Sequence, residues 1–220
     1  MRALTFLARR FVAGEAIDEA VKSVRALNAD GIKATLDNLG EECKNRAQAA
    51  AARDEYLLAL KKIADSGIDC NVSLKLTQFG LNIDAGLARD NLFQVLDQAA
   101  ALGNFVRIDM EGSAYTQKTL DLFYEAFKSY TNVGIVIQAY LKRSEADIVE
   151  LVYRRASVRL CKGAYKEPAS IAFSDKREVD ANYDKLAQIL LGAPNPAFAT
   201  HDDARIKAAV AAAEAARVPK

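Results

Sequence analysis

Arg159, Lys162 and Gly163 stand in the run Val158–Arg159–Leu160–Cys161–Lys162–Gly163–Ala164–Tyr165–Lys166–Glu167. Val158, Leu160 and Cys161 are strand-type residues, and the run ends on a polar turn. A cation inside a buried strand is costly unless an anionic or acceptor-rich group answers it. Gly163 lets a backbone approach something closely. Such a donor-rich strand end suits an electron-rich ligand. Further polar residues gather at the ends of other strand-like runs: Asp37, Lys75, Asp109, Gln138 and His201. No nucleophile pairs with a base among them, and no metal-ligand spacing occurs. One or two carboxylates, several cations and amide or hydroxyl donors form a set that holds and polarises a cofactor, which then does the chemistry itself.

Each residue also has a plainer reading. Lys75 can snorkel at the surface. Alternation puts Arg107 and Asp109 on one strand face, where they can form a structural pair. Asp37–Asn38–Leu39–Gly40–Glu41 can be an ordinary solvated turn. A lone histidine such as His201 is often structural.

The elements that position these residues follow from periodicity. Strands are predicted at Lys33–Leu39, Asn71–Leu76, Phe105–Met110, Val133–Ala139, Ser157–Cys161 and Ala197–Thr200. Helical runs lie between them. Asn45 to Ser66 presents Tyr56, Leu60, Ile63 and Ala64 on one face. After a capping Asp84, Leu92, Val95, Leu96, Ala99 and Ala100 form another face. Leu120, Phe123, Tyr124 and Phe127 mark a third helix. Ser144 with Asp147 reads as a capping box before the fourth. Tyr183, Leu186, Ile189 and Leu190 mark the fifth, and Asp202 to Arg217 is an alanine-rich sixth. Six consecutive βα repeats predict a parallel sheet clad in helices. No Gly-x-Gly-x-x-Gly follows the first strand, which argues against a dinucleotide-binding Rossmann domain. Polar residues at many strand ends favour a (β/α)8 TIM barrel. The predicted organisation is an N-terminal helical segment over residues 1–30, with an extra helix from Glu15 to Asn28, then an incomplete barrel over 31–220.

Bulk properties narrow the function. The net charge is +1 with both signs interspersed, so no global field selects nucleic acid or an anionic membrane. No stretch reaches the ~18 apolar residues of a spanning helix. Met1–Arg10 lacks the apolar core of a signal peptide. Three widely spaced cysteines fit a reducing, cytoplasmic setting better than a disulfide framework. A single histidine leaves little room for a histidine-based metal site.

Seven stretches, in order along nearly the whole chain, resemble the bacterial monofunctional proline dehydrogenase family. They are Phe11–Glu15, Asp37–Glu41, Ser73–Thr77, Arg107–Glu111, Gln138–Arg143, Arg159–Glu167 and Ala199–His201. The resemblance implies a distorted (β/α)8 barrel holding FAD non-covalently. It implies oxidation of L-proline to Δ1-pyrroline-5-carboxylate, with electrons passed to a membrane quinone, in a cytoplasmic protein peripheral to the inner membrane. By position, Arg159 resembles the arginine at the flavin N5, and Gln138 and Met110 resemble ring contacts. Lys162, Gly163 and Ala164 match the stretch along the ribityl and phosphate part, and Thr200 and His201 match further FAD contacts. Asp109 matches the catalytic aspartate and Lys75 the substrate-side lysine. Tyr165 resembles a site-lining aromatic, and Glu41 the acid that gates the substrate site.

The family's Arg-Arg-x-x-Glu element, which grips the proline carboxylate and pairs with that acid, does not occur after His201. The resemblance therefore implies that this sequence stops before the last two barrel strands and the final helix. The 220-residue chain is expected to be inactive as it stands. Two other readings stay open: a barrel lyase using Lys75 or Lys162 as a Schiff-base amine, and a non-catalytic barrel fragment that associates with another chain.

Overall fold

The computed structural model describes Gly14 and residues 16–218. The Met1–Arg10 stretch, the family-like run 11–15 apart from Gly14, and Pro219–Lys220 lie outside the described residues. The described elements run α1 (Ile17–Ala29), β1 (Ala34–Asp37), α2 (Arg46–Ser66), β2 (Cys70–Leu74), α3 (Ala85–Ala101), β3 (Val106–Ile108), α4 (Ser113–Phe127), β4 (Val133–Gln138), α5 (Ser144–Tyr153), β5 (Ser157–Cys161), α6 (Lys176–Leu190), β6 (Ala197–Ala199) and α7 (Asp203–Ala215). Every predicted βα repeat is present; β5 has the predicted bounds and the other strands are one to three residues shorter than the sequence pattern alone marks.

The chain divides into two compact units, one ending at Val106 and the other beginning at Arg107. In the first, β1 pairs parallel with β2, setting Asp37 beside Ser73. In the second, strand order follows chain order from β3 to β6. There Val136 lies beside Arg159 and Gln138 beside Cys161, while Arg159 lies beside Ala197. All six residues of β4 are buried, as expected of a parallel strand covered on both faces.

Helix faces obey the 3.6-residue repeat, with one instructive limit. Tyr56, Leu60 and Ile63 of α2 are buried, as are Leu92, Val95, Leu96 and Ala99 of α3. Ala64 and Ala100, predicted on the same faces, are exposed. Each sits eight positions after the first residue of its face, about 80° around the helix, where the apolar stripe has turned to solvent. The side chains of Asn45, Asp84 and Asp202 cap α2, α3 and α7 by accepting backbone N–H groups of the first turn.

The capping box at α5 is corrected. Arg143 holds the N-cap position, and the buried Ser144 hydroxyl donates to the Gln138 carbonyl at 2.6 Å instead. Asp147 accepts from the Arg143 guanidinium. The carbonyl at the end of β4 needs a donor more than the helix start does.

Candidate functional site

In the first unit, Lys75 follows directly on β2. Its ammonium donates to Asp37 Oδ2 at 2.7 Å, and both side chains are largely withdrawn from solvent. Lys75 is thus a paired lysine and not a snorkelling one. Tyr56 fixes the same strand ends: its hydroxyl donates to Ser73 O at 2.8 Å and accepts from Asn38 N at 3.2 Å. Glu41 lies in the loop after β1, beside Gly40, and engages a partner of its own.

The second unit holds the other candidates. Arg159 of β5 points its guanidinium at Asp109, just past β3, with Nη2 donating to Oδ1 at 2.6 Å. The acceptor that a cation in a strand demands is therefore a carboxylate two strands away. Arg107 is buried and donates from Nη1 to Ser157 O at 2.9 Å. Burial first, and then the nearby Arg159, pull its guanidinium down to about 10, with Asp109 opposing.

Gln138 ends β4 at 2 % exposure. Its Nε2 donates to the carbonyls of Met110 and Glu111, and its Oε1 is buried with no hydrogen-bond partner. Gln138 and Met110, predicted as neighbours on one ligand, do come together. The Tyr140 hydroxyl is likewise buried without a partner, and burial, then Glu167 and Cys161, pushes its phenol up to about 12.

Gly163 has φ +105°, and a Cβ there would fall 2.2 Å from the Tyr140 ring. The close approach foreseen at Gly163 is thus made to that ring, in a conformation that side chains avoid. Tyr165 packs against the small cluster of Tyr140, Leu141 and Ala172. Ala164 is exposed.

Lys162 is already shared. Its ammonium contacts Asp180, and Asp202 Oδ2 at 2.6 Å. Lys176 joins Asp180 at 2.5 Å, and Arg205 lies 2.8 Å from Asp184. The Lys162 ammonium leads in holding Asp180 and Asp202 below the usual carboxylate range. Sequence reading marked Lys162 but missed Asp180, which pairs from 18 residues away. The only local hint was Asp202, whose N-cap position puts its carboxylate at the end of β6. Thr200 Oγ1 accepts from Asp202 N at 3.1 Å, and His201 beside it is exposed. Cys161 is a free thiol that burial pushes up to about 11, which leaves it unreactive at neutral pH. Among the described residues, no group of three or more His, Cys, Asp or Glu could hold a metal ion.

Residues 20–220 match the family described as proline dehydrogenase. Proline dehydrogenase 1 of Bacillus subtilis subsp. natto is 41% identical over 201 residues, covering 91% of this chain and 67% of that protein. Proline dehydrogenase of Deinococcus radiodurans is 37% identical over 203 residues, 90% of this chain and 66% of that protein. The chain thus spans about two thirds of the length of the curated relatives it matches. Among solved structures, proline utilization A from Bdellovibrio bacteriovorus, inactivated by N-propargylglycine, superposes with a TM-score of 0.87 at 27% identity. That match covers 98% of this chain and 28% of the other, and carries the barrel-type βα repeat with it.

Proposed function

Because the chain belongs to the proline dehydrogenase family, we propose that its second unit holds FAD for the oxidation of L-proline to Δ1-pyrroline-5-carboxylate, with electrons passing on to a membrane quinone. The observation that carries this reading is Gln138. A buried amide whose carbonyl oxygen has no partner suits the N–H edge of a flat heterocycle. The donor set around it fits as well: Arg159 supplies a cation, and the backbone beside Met110 lies within reach of the same amide. When bound, FAD supplies the hydride acceptor.

The chain's own residues then divide the work. Arg159, held in place by Asp109, would lie against the flavin N5. Asp109 in turn fixes the charge on the substrate side; Lys75, in the first unit, matches the family pattern's substrate-side lysine. Gln138 and Met110 hold the ring edge. Lys162, Gly163 and Ala164 run along the ribityl and phosphate part, followed by Thr200 and His201. Tyr165 walls the site; Glu41, in the first unit, matches the acid to which the family pattern gives a gating role. The placement belongs at the cytoplasmic face of the inner membrane, by peripheral contact; no described helix is long and apolar enough to cross a membrane. A Schiff-base role is not favoured, because both candidate lysines are already engaged by carboxylates.

The test is a visible spectrum of the 220-residue chain with FAD, before and after anaerobic proline. Retained flavin is the expected result. Bleaching by proline would overturn the expectation that the 220-residue chain is inactive as it stands, and a flavin that stays yellow would meet it. A chain that retains no flavin overturns the functional reading.

A further inference from the structure

We infer that Glu167 is a positioning residue for the proposed flavin site, clamping the Lys162–Glu167 stretch to the strand exit that bears Asp109. The inference rests on the functional reading above.

α4 begins without a cap from its own neighbourhood. Gly112 occupies the N-cap position and has no side chain to offer. Glu167, 54 residues further on, takes that place: Oε1 accepts from Ser113 N at 2.7 Å, and Oε2 accepts from the Ser113 hydroxyl at 2.5 Å. A carboxylate at a helix N-terminus satisfies an orphan N–H and sits well in the helix dipole. A local Ser or Asp at position 112 would do that equally well. What the remote carboxylate adds is a link between two strand exits.

Three ties converge on the segment from Asp109 to Ser113. Arg159 of β5 reaches Asp109, Gln138 of β4 reaches the Met110 carbonyl, and Glu167 reaches Ser113. The first two leave from strands, whose backbones are already fixed by the ladder. The third leaves from a loop. That loop is pinned at its start by Tyr140 N donating to Lys162 O, and further on by Lys142 N donating to Ile171 O and Lys142 Nζ to Ala169 O. Gly163, Ala164 and Tyr165 lie between these anchors. Glu167 fastens the middle of the span. Both its Oε1 and Tyr165 Cδ1 lie within 4 Å of the point a Gly112 Cβ would occupy. The clamp therefore acts on the glycine turn and on the wall-forming tyrosine together.

The test compares Glu167→Ala, Glu167→Gln and Ser113→Ala in the 220-residue chain. With FAD, Glu167→Ala is expected to raise the dissociation constant about tenfold, the loss of one charge-assisted pair of hydrogen bonds. It should also change the visible circular dichroism of the bound flavin. Ser113→Ala should move both in the same direction and less. Glu167→Gln should recover most of the affinity, because its amide keeps an acceptor for Ser113 N–H and a donor for the hydroxyl. Without FAD, hydrogen exchange in Glu167→Ala should accelerate at residues 112–114 and 163–167 together. Exchange that rises at 112–114 alone would reduce Glu167 to a helix cap and overturn the inference. So would unchanged flavin affinity and circular dichroism in Glu167→Ala. A wild-type chain that binds no flavin would defeat the functional reading instead, and the coupled exchange would then decide the clamp by itself.

Discussion

Arg159 and Lys162 stand three residues apart at the end of β5, and their surroundings differ in kind. Around Arg159, two guanidiniums flank the Asp109 carboxylate, and Arg107 is buried deeply enough to be pulled down to about 10. A buried acceptor without a partner, Gln138 Oε1, sits on the neighbouring strand. Around Lys162, three cations (Lys162, Lys176, Arg205) interleave with three carboxylates (Asp180, Asp184, Asp202). The central ion pairs of the two clusters are about equally withdrawn from solvent, but the first adds the buried Arg107 and leaves the Gln138 acceptor unanswered. The second is balanced, and it ties α6 and the start of α7 to the end of β5. A lysine at a strand end is therefore no evidence of free positive charge. Coulomb attraction already spent on a protein carboxylate is not available to a phosphate without an exchange of partners.

The sharpest break in this contrast is Arg159→Met. It removes the guanidinium that donates to Asp109 Oδ1, at a cost of about 2 kcal/mol, below that of a fully buried pair because solvent still reaches both side chains. Flavin affinity should fall by about tenfold, as when a charge-assisted contact is lost. A flavin titration and urea unfolding check the two effects. A variant with wild-type values in both would place Arg159 with the structural cluster.

Gly163→Ala comes next. The added methyl meets the Tyr140 ring at 2.2 Å and the backbone keeps φ +105°, so a loss of about 2 kcal/mol in stability is expected. Adding Tyr140→Leu should restore the steric part and leave the backbone part. Full recovery in the double variant would show that the backbone is relaxed.

Lys162→Met probes the balanced cluster through pH. Asp180 and Asp202 are held below their ordinary value of 3.8 in the folded state. Their contribution is present above the unfolded value and is lost as pH falls through the folded one. The wild type should therefore exceed the variant in stability at pH 7, and the gap should close on acidification below about 3.8. A gap that widens in acid would contradict the pairing. Flavin affinity should drop less than in Arg159→Met, since this ammonium is already shared.

The smallest effect is a control. Asp84 Oδ1 accepts from Leu87 N at 2.7 Å at the start of α3. Asp84→Ala should cost about 1 kcal/mol and leave the flavin spectrum unchanged. A spectral change there would mean that any loss of stability perturbs the site, and the contrast would lose its meaning.

How much was legible beforehand differs by level. Helix faces and the Asp84 cap followed from local spacing, so Tyr56, Leu60, Leu92 and Asp84 were readable, whereas the capping box at Ser144 did not form. Strand ends were readable to within a few residues, because polar residues follow apolar runs there. Asp109 and Arg159 could both be picked out as strand-end charges, but alternation offered Arg107 as the partner of Asp109. The carboxylate meets both: Arg107 acts on it electrostatically from β3, and β5 brings the Arg159 guanidinium across at 2.6 Å. Glu167 was visible only as the end of a motif. Nothing local says that it caps a helix 54 residues earlier.

The amino-acid sequence alone determined the βα repeat, the buried face of each helix and the polar character of each strand end, because these depend on periods of two and 3.6 residues along one chain. The tertiary structure alone decided the partners. Arg159 meets Asp109, Lys162 is divided between Asp180 and Asp202, Gly163 lies on Tyr140, and Gln138 keeps an open acceptor. Pairing depends on which strands lie side by side and in what register, and those distances exist only once the sheet has formed.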